Sequence, residues 1–169
     1  MHLIHMFLLA GFIVHSLCSE TLAFDISKDL FVQNDLHEAW QAAPASEPPK
    51  MFSNLPATDN KADHRLSRAG KIKGGVTGFK YANAADAGTA YDKLLEGMGS
   101  DTEVVEQLGD QARSFSSITN FPPAVKMPPL QRAGILFLRG KTVVYIGLSD
   151  MKAEELIPYA KKIDARIQK

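Results

Sequence analysis

The chain has 169 residues, 45% hydrophobic and 22% charged, with a formal net charge of +0 at pH 7. These values are ordinary for a globular chain of about one domain, and they exclude a protein that is disordered by composition or fibrous.

Leu3 to Leu17 reads LIHMFLLAGFIVHSL. This apolar run is too short for a comfortable membrane span and suits the hydrophobic part of a signal peptide. Thr21-Leu22-Ala23 ends on a small residue, which places cleavage after Ala23 and predicts a secreted or periplasmic protein. Met1-His2 departs from the usual basic start, having no Lys or Arg. The single cysteine, Cys18, follows His15-Ser16-Leu17 and lacks the small preceding residue of a lipobox, so lipidation is not expected. Cleavage would leave a chain without cysteine. Disulfides, a thiolate nucleophile and a cysteine-ligated metal would then be excluded.

Phe24 to Ala43 predicts one short helix, capped by Asn34 or Asp35, with Leu36, Ala39, Trp40 and Ala43 on one face. Trp40 at that spacing reads as core. Ala42 to Lys61 is rich in Pro, Ser, Asn and Asp without a sustained period, and reads as a long connection. The expected organisation is a signal peptide over 1–23, a short helix with a Pro/Ser-rich connection over 24–60, and an α+β domain over 61–169.

Lys61 to Lys80 carries six basic residues against one acid, Asp63. One reading makes Lys61, Arg65, Arg68, Lys71 and Lys73 an anion-binding surface for head groups or an acidic partner. The other is a solvated edge strand, blunted by lysines and interrupted by Gly70, Gly74, Gly75 and Gly78. No aromatic residues interleave these charges as in single-strand-binding platforms, so nucleic acid is not expected as a partner.

Val76 to Tyr81 predicts a strand, and Asn83 caps a helix over 84–98 whose apolar face is Ala87, Ala90, Tyr91, Leu94, Leu95 and Met98. Gly97 and Gly99 end it. Gly109-Asp110 marks a turn or bulge before a short strand over 112–116. Two proline pairs, Pro122-Pro123 and Pro128-Pro129, predict a stiff loop that covers a sheet edge. Ile135–Leu138 and Thr142–Ile146 flank Arg139-Gly140-Lys141 as a hairpin, apolar at nearly every position and therefore central. Arg139 reads as an ordinary turn residue there, whose loss to Ala costs under about 0.5 kcal/mol.

The last helix has Ser149 or Asp150 as cap and Leu156, Tyr159, Ala160, Ile163 and Ile167 as its stripe. Pro158 shifts its regular start toward Leu156. The fold class expected is α+β: an antiparallel sheet of about four or five strands with two main helices packed on one face.

Chemistry is sparse. After cleavage the histidines are His37 and His64. His64 with Asp59 and Asp63 sketches a base or a metal site, but the surrounding turn-forming residues predict a solvated loop. The nucleophile-elbow, phosphate-loop and dinucleotide patterns do not occur. No catalytic residues, metal or cofactor are therefore expected, and three functions are open. The first is an exported, non-enzymatic binding or sensor-like domain for an envelope protein or small ligand. The second is an envelope hydrolase or other enzyme using His64 with nearby acids. The third is docking on an anionic surface through 61–80. A cleft gathering His64 with Asp59 or Asp63 would favour the second.

Gly109-Asp110-Gln111-Ala112, the hairpin around Arg139-Gly140-Lys141, and Ala160-Lys161-Lys162-Ile163-Asp164-Ala165-Arg166 together resemble small extracytoplasmic α+β domains of unknown or sensor-like function in bacterial envelope proteins and lipoproteins. The resemblance covers about the last 90 residues. It implies an exported domain without catalytic residues.

Overall fold

The two apolar runs beside Gly140 form the centre of the structure, which is a computed structural model describing residues 24–169 except 33, 37–39, 46–51, 100, 121 and 123–127. The expected signal peptide, its cleavage after Ala23, His37, Ala39 and most of the proline loop lie outside the described residues. In chain order the elements are α1 (Ile26–Asp29), β1 (Trp40–Pro44), β2 (Asn60–Arg68), β3 (Lys71–Lys80), α2 (Ala84–Met98), β4 (Thr102–Val104), β5 (Gln111–Thr119), β6 (Leu130–Arg139), β7 (Thr142–Ser149) and α3 (Ala153–Ile167). Among the described residues, seven strands make one antiparallel sheet in the order β1-β2-β3-β7-β6-β5-β4.

This corrects the expected sheet of four or five strands with both helices on one face. Alternation along β6 and β7 sends consecutive side chains to opposite sides. Ile135 pairs with Ile146 and Phe137 with Val144; these four pack with Leu156, Tyr159, Ala160 and Ile163 of α3 and with Ile26 of α1. Leu136 and Leu138, facing Tyr145 and Val143, instead meet Ala87, Ala90, Tyr91 and Leu94 of α2. Strands apolar at every position need cover on both faces, which one helical layer cannot supply.

The extra strands come from stretches whose local composition hides them. Lys61 to Lys80 is a hairpin: β2 pairs with β3 from Asn60↔Lys80 to Arg68↔Lys71, with a bulge at Leu66/Ser67. It is not an edge, because β1 flanks β2 and β7 flanks β3. Trp40 is buried but begins β1, opposite Arg68, rather than lying on a helix. The N-terminal helix is the earlier α1, where Asp25 caps by accepting from the Ser27 N–H.

α2 spans 84–98 as its periodicity predicts, with the Asn83 side chain accepting from the Asp86 N–H. α3 begins at Ala153, not near Leu156. Its cap is Lys152, whose backbone N–H donates to Glu155 Oε2 at 2.7 Å. Pro158 is tolerated because it lies on the exposed face of α3 with Glu154, where the carbonyl left without a partner can reach water.

One polar cluster ties the C-terminal half together. Arg139 donates from Nε and Nη2 to the two oxygens of Asp164, both at 2.7 Å, and from Nη1 to Asp110 at 2.9 Å. The Gly109 and Gln168 side of the cluster adds two donors to Asp164 Oδ2, at 3.2 and 3.0 Å. Asp164 is 4% exposed. Burial alone would raise its carboxyl, but the Arg139 and Gly109 bonds hold it below the usual carboxylate range. The turn at Gly109-Asp110, the β6–β7 hairpin and α3 thus meet at one buried carboxylate. A second bidentate pair, Arg166 with Asp35, anchors the segment after α1 to α3 at 2.6 and 2.9 Å.

A candidate binding groove on the glycine-floored half of the sheet

α2 covers the sheet where Phe79, Leu138 and Val143 project, and leaves the neighbouring rows without a helix. There the register aligns Arg65, Gly75, Gly147, Gly134 and Phe115 across five adjacent strands. The three central positions have no side chain; Gly134 is buried, and the half-buried Gly75 and Gly147 form the floor that remains open between Arg65 and Phe115. Glycine inside a strand weakens it and often marks a place where another group approaches the backbone closely. A Cβ on Gly134 would lie 2.2 Å from the Phe115 ring, and one on Gly147 would lie 2.8 Å from the Tyr145 hydroxyl. The two rings therefore rest on the glycines. Their centroids are 6.4 Å apart and their planes differ by 17°.

The resulting cavity has a volume of about 660 Å³ and is lined by Phe115 and Tyr145, by Leu130 and Ile72, and by the charged groups of Asp63, Arg65, Lys73 and Arg132. That size falls within the range of small-molecule sites, which are mostly apolar with a few convergent polar groups. One of the charged groups is in an ion pair and another holds a neutral donor. Lys73 pairs with Asp150, and Asp63 accepts the Thr77 hydroxyl at 2.8 Å. Among the described residues, Arg65 and Arg132 form no ion pair. Burial raises the Tyr145 phenol, partly countered by the nearby charge of Arg132.

The five basic residues singled out in the sequence do not form one surface. Lys61 lies over the rings of Phe52 and Phe79, at 5.7 and 5.1 Å, on the α2 side. Arg65 borders the groove. Arg68, Lys71 and Lys73 gather instead around Trp40 and Asp150 in a separate hollow of about 330 Å³, Lys73 being shared with the groove. The hairpin separates them along its length: Lys61 and Arg65 lie four residues apart on one face of β2, and Arg68 and Lys71 pair at its far end, beyond the bulge at Leu66/Ser67.

His64 is not on a solvated loop. It lies within β2, half-buried, opposite Val76 of the α3-side core. Asp63, one residue earlier, faces the groove, so the two side chains are on opposite faces of the sheet. The His64 carbonyl, not its ring, lies under Gly75. Burial lowers the imidazole pKa, against an opposing pull from Asp63, and Nε2 is buried without a hydrogen-bond partner. Among the described residues no three His, Cys, Asp or Glu side chains come together as metal ligands would. The sheet thus separates His64 from Asp63 instead of gathering them in one cleft.

Sequence reasoning missed Arg132, Phe115, Tyr145 and the glycine row. The available signal was three glycines inside runs of strand-forming residues. Their alignment depends on pairings between segments up to about 70 residues apart.

The chain matches no protein-family model, no curated protein and no solved structure. Among the described residues no helix is long and apolar enough to cross a membrane.

Proposed function

We propose that this is an exported, non-enzymatic binding domain that holds a small ligand in the groove lined by Gly75, Gly147, Phe115 and Tyr145. The observation that carries the reading is a cavity of about 660 Å³ beside α2, bordered by two guanidinium groups without ion-pair partners among the described residues. A rigid sheet holds its lining residues more precisely than a loop does. Export rests on the apolar run over Leu3–Leu17.

Two experiments test the reading. Mass spectrometry of the protein from its native host should find a chain beginning at Phe24; a chain retaining Met1 would contradict export. The mature chain should capture small molecules from an envelope extract of that host, and Ser117→Trp, which places an indole at the cavity mouth, should abolish capture. Equal capture by the folded variant would contradict the groove as the site.

A further inference from the structure

We infer that the ligand of this groove is a planar organic anion, its acidic group held by Arg132 and its ring lying against Phe115 and Tyr145. The inference rests on the binding reading above and adds the ligand's charge and shape.

The charge follows from which lining groups are already satisfied. Lys73 is neutralised by Asp150 at the cavity edge, and Asp63, bonded only by the neutral Thr77 hydroxyl, lies two residues from Arg65 on the same face of β2 and offsets that guanidinium. The guanidinium groups of Arg65 and Arg132 remain without an ion pair among the described residues. With Asp63 offsetting Arg65, the lining keeps a net positive charge at Arg132, and an anion supplies the partner that Arg132 lacks. Arg132 pairs with Ser149 on β7 and Ser117 on β5. It therefore projects from the row next to the glycines, beside Phe115 and Tyr145. A guanidinium presents a planar fork of donors that matches a carboxylate or sulfonate bidentately. Arg65 projects three strands away, roughly 14 Å at the usual strand spacing. One small acidic group cannot occupy both ends, so Arg132 is the anchor.

The shape follows from the rings. The Phe115 and Tyr145 rings, lying against Gly134 and Gly147 and only 17° from parallel, present a flat surface to the cavity beside Gly75. Offset stacking on such rings favours a planar partner over a branched aliphatic one.

Two fluorescent probes that differ by one group separate charge from shape. 1-Anilinonaphthalene-8-sulfonate carries a sulfonate, and N-phenyl-1-naphthylamine is the same ring system without it. The mature chain should bind both saturably, the sulfonate more tightly. Arg132→Gln should weaken the sulfonate about fivefold or more while leaving the neutral amine within about twofold, as expected when one charge-assisted contact is lost. Ser117→Trp should weaken both probes. Each variant is first checked for a melting temperature within about 2 °C of the parent.

If the probes bind alike and Arg132→Gln weakens neither, the anion inference is overturned and the cavity reading stands. If neither probe binds, or if Ser117→Trp affects neither, the cavity reading is overturned with it.

Discussion

On the α3 side of the sheet, Ile135, Phe137, Val144 and Ile146 meet a continuous helical stripe, and all four are 0% exposed. On the α2 side the same two strands continue into Gly134 and Gly147, where the helix no longer covers them and charged side chains border an open cavity. Neighbouring residues on β6 and β7 differ by only one step in sequence, yet one set closes a core and the other leaves a surface. The difference teaches that a strand apolar on both faces does not have both faces committed to stability along its whole length. If that contrast is right, substitutions on the first side should cost folding, and substitutions on the second should cost binding with little effect on folding.

The largest effect is expected at Phe137. Its replacement by Ala removes a fully buried ring and should cost about 4 kcal/mol. Chemical denaturation with a midpoint near the parent's would contradict the assignment of this side as the core.

Arg139→Ala comes next, at about 3 kcal/mol, because it leaves the buried Asp164 carboxylate without its main partner. This reverses the expectation of an ordinary turn residue. The cost has a pH signature. The Asp164 carboxyl is held below its ordinary value of 3.8 in the fold, so its stabilisation is present at neutral pH and is lost as pH falls through the lowered folded value. Urea unfolding of parent and variant should therefore differ most near neutrality and converge in strong acid. A gap that widens in acid would contradict the pairing.

His64 should have a smaller effect, of the same sign but nearer neutrality. Burial lowers its folded pKa below the ordinary 6.5, so the unfolded chain binds the extra proton first and the parent loses stability as pH falls through that region. In His64→Gln the decline between neutrality and mild acid should be shallower than in the parent. Identical slopes would mean that the imidazole is solvated after all. Arg132→Gln should change stability least, within about 0.5 kcal/mol as at other surface positions. A larger loss would make Arg132 part of the core's support and weaken the contrast between the two sides.

Much of the fold was legible where the signal was local. Helix α2, its Asn83 cap and its buried face follow from a 3.6-residue period, and the β6–β7 hairpin follows from two apolar runs about Gly140. Basic residues and glycines in β2 and β3 hid a sheet-forming hairpin, because sheet pairing outweighs the weak strand propensity of Lys and Gly. Arg139 looked like a turn residue because Asp164, its partner, lies 25 residues away on another element. Arg65 was visible as part of a basic run, but the groove was not. Its floor exists only when Gly75 and Gly147 are placed side by side with the Phe115 and Tyr145 rings beside them, and that register is set by the hydrophobic pattern of whole strands.

The central claim is that the glycine-floored half of the α2 face is the binding surface, and amide chemical shifts test it most directly. Titrating the isotope-labelled protein with 1-anilinonaphthalene-8-sulfonate should move the amide signals of Gly75, Gly134, Gly147, Phe115 and Tyr145 together, saturating at one equivalent. The signals of Gly109, Gly140 and Asp164 should stay in place. Shifts concentrated at that buried ion-pair cluster, or spread evenly over both faces of the sheet, would contradict the account.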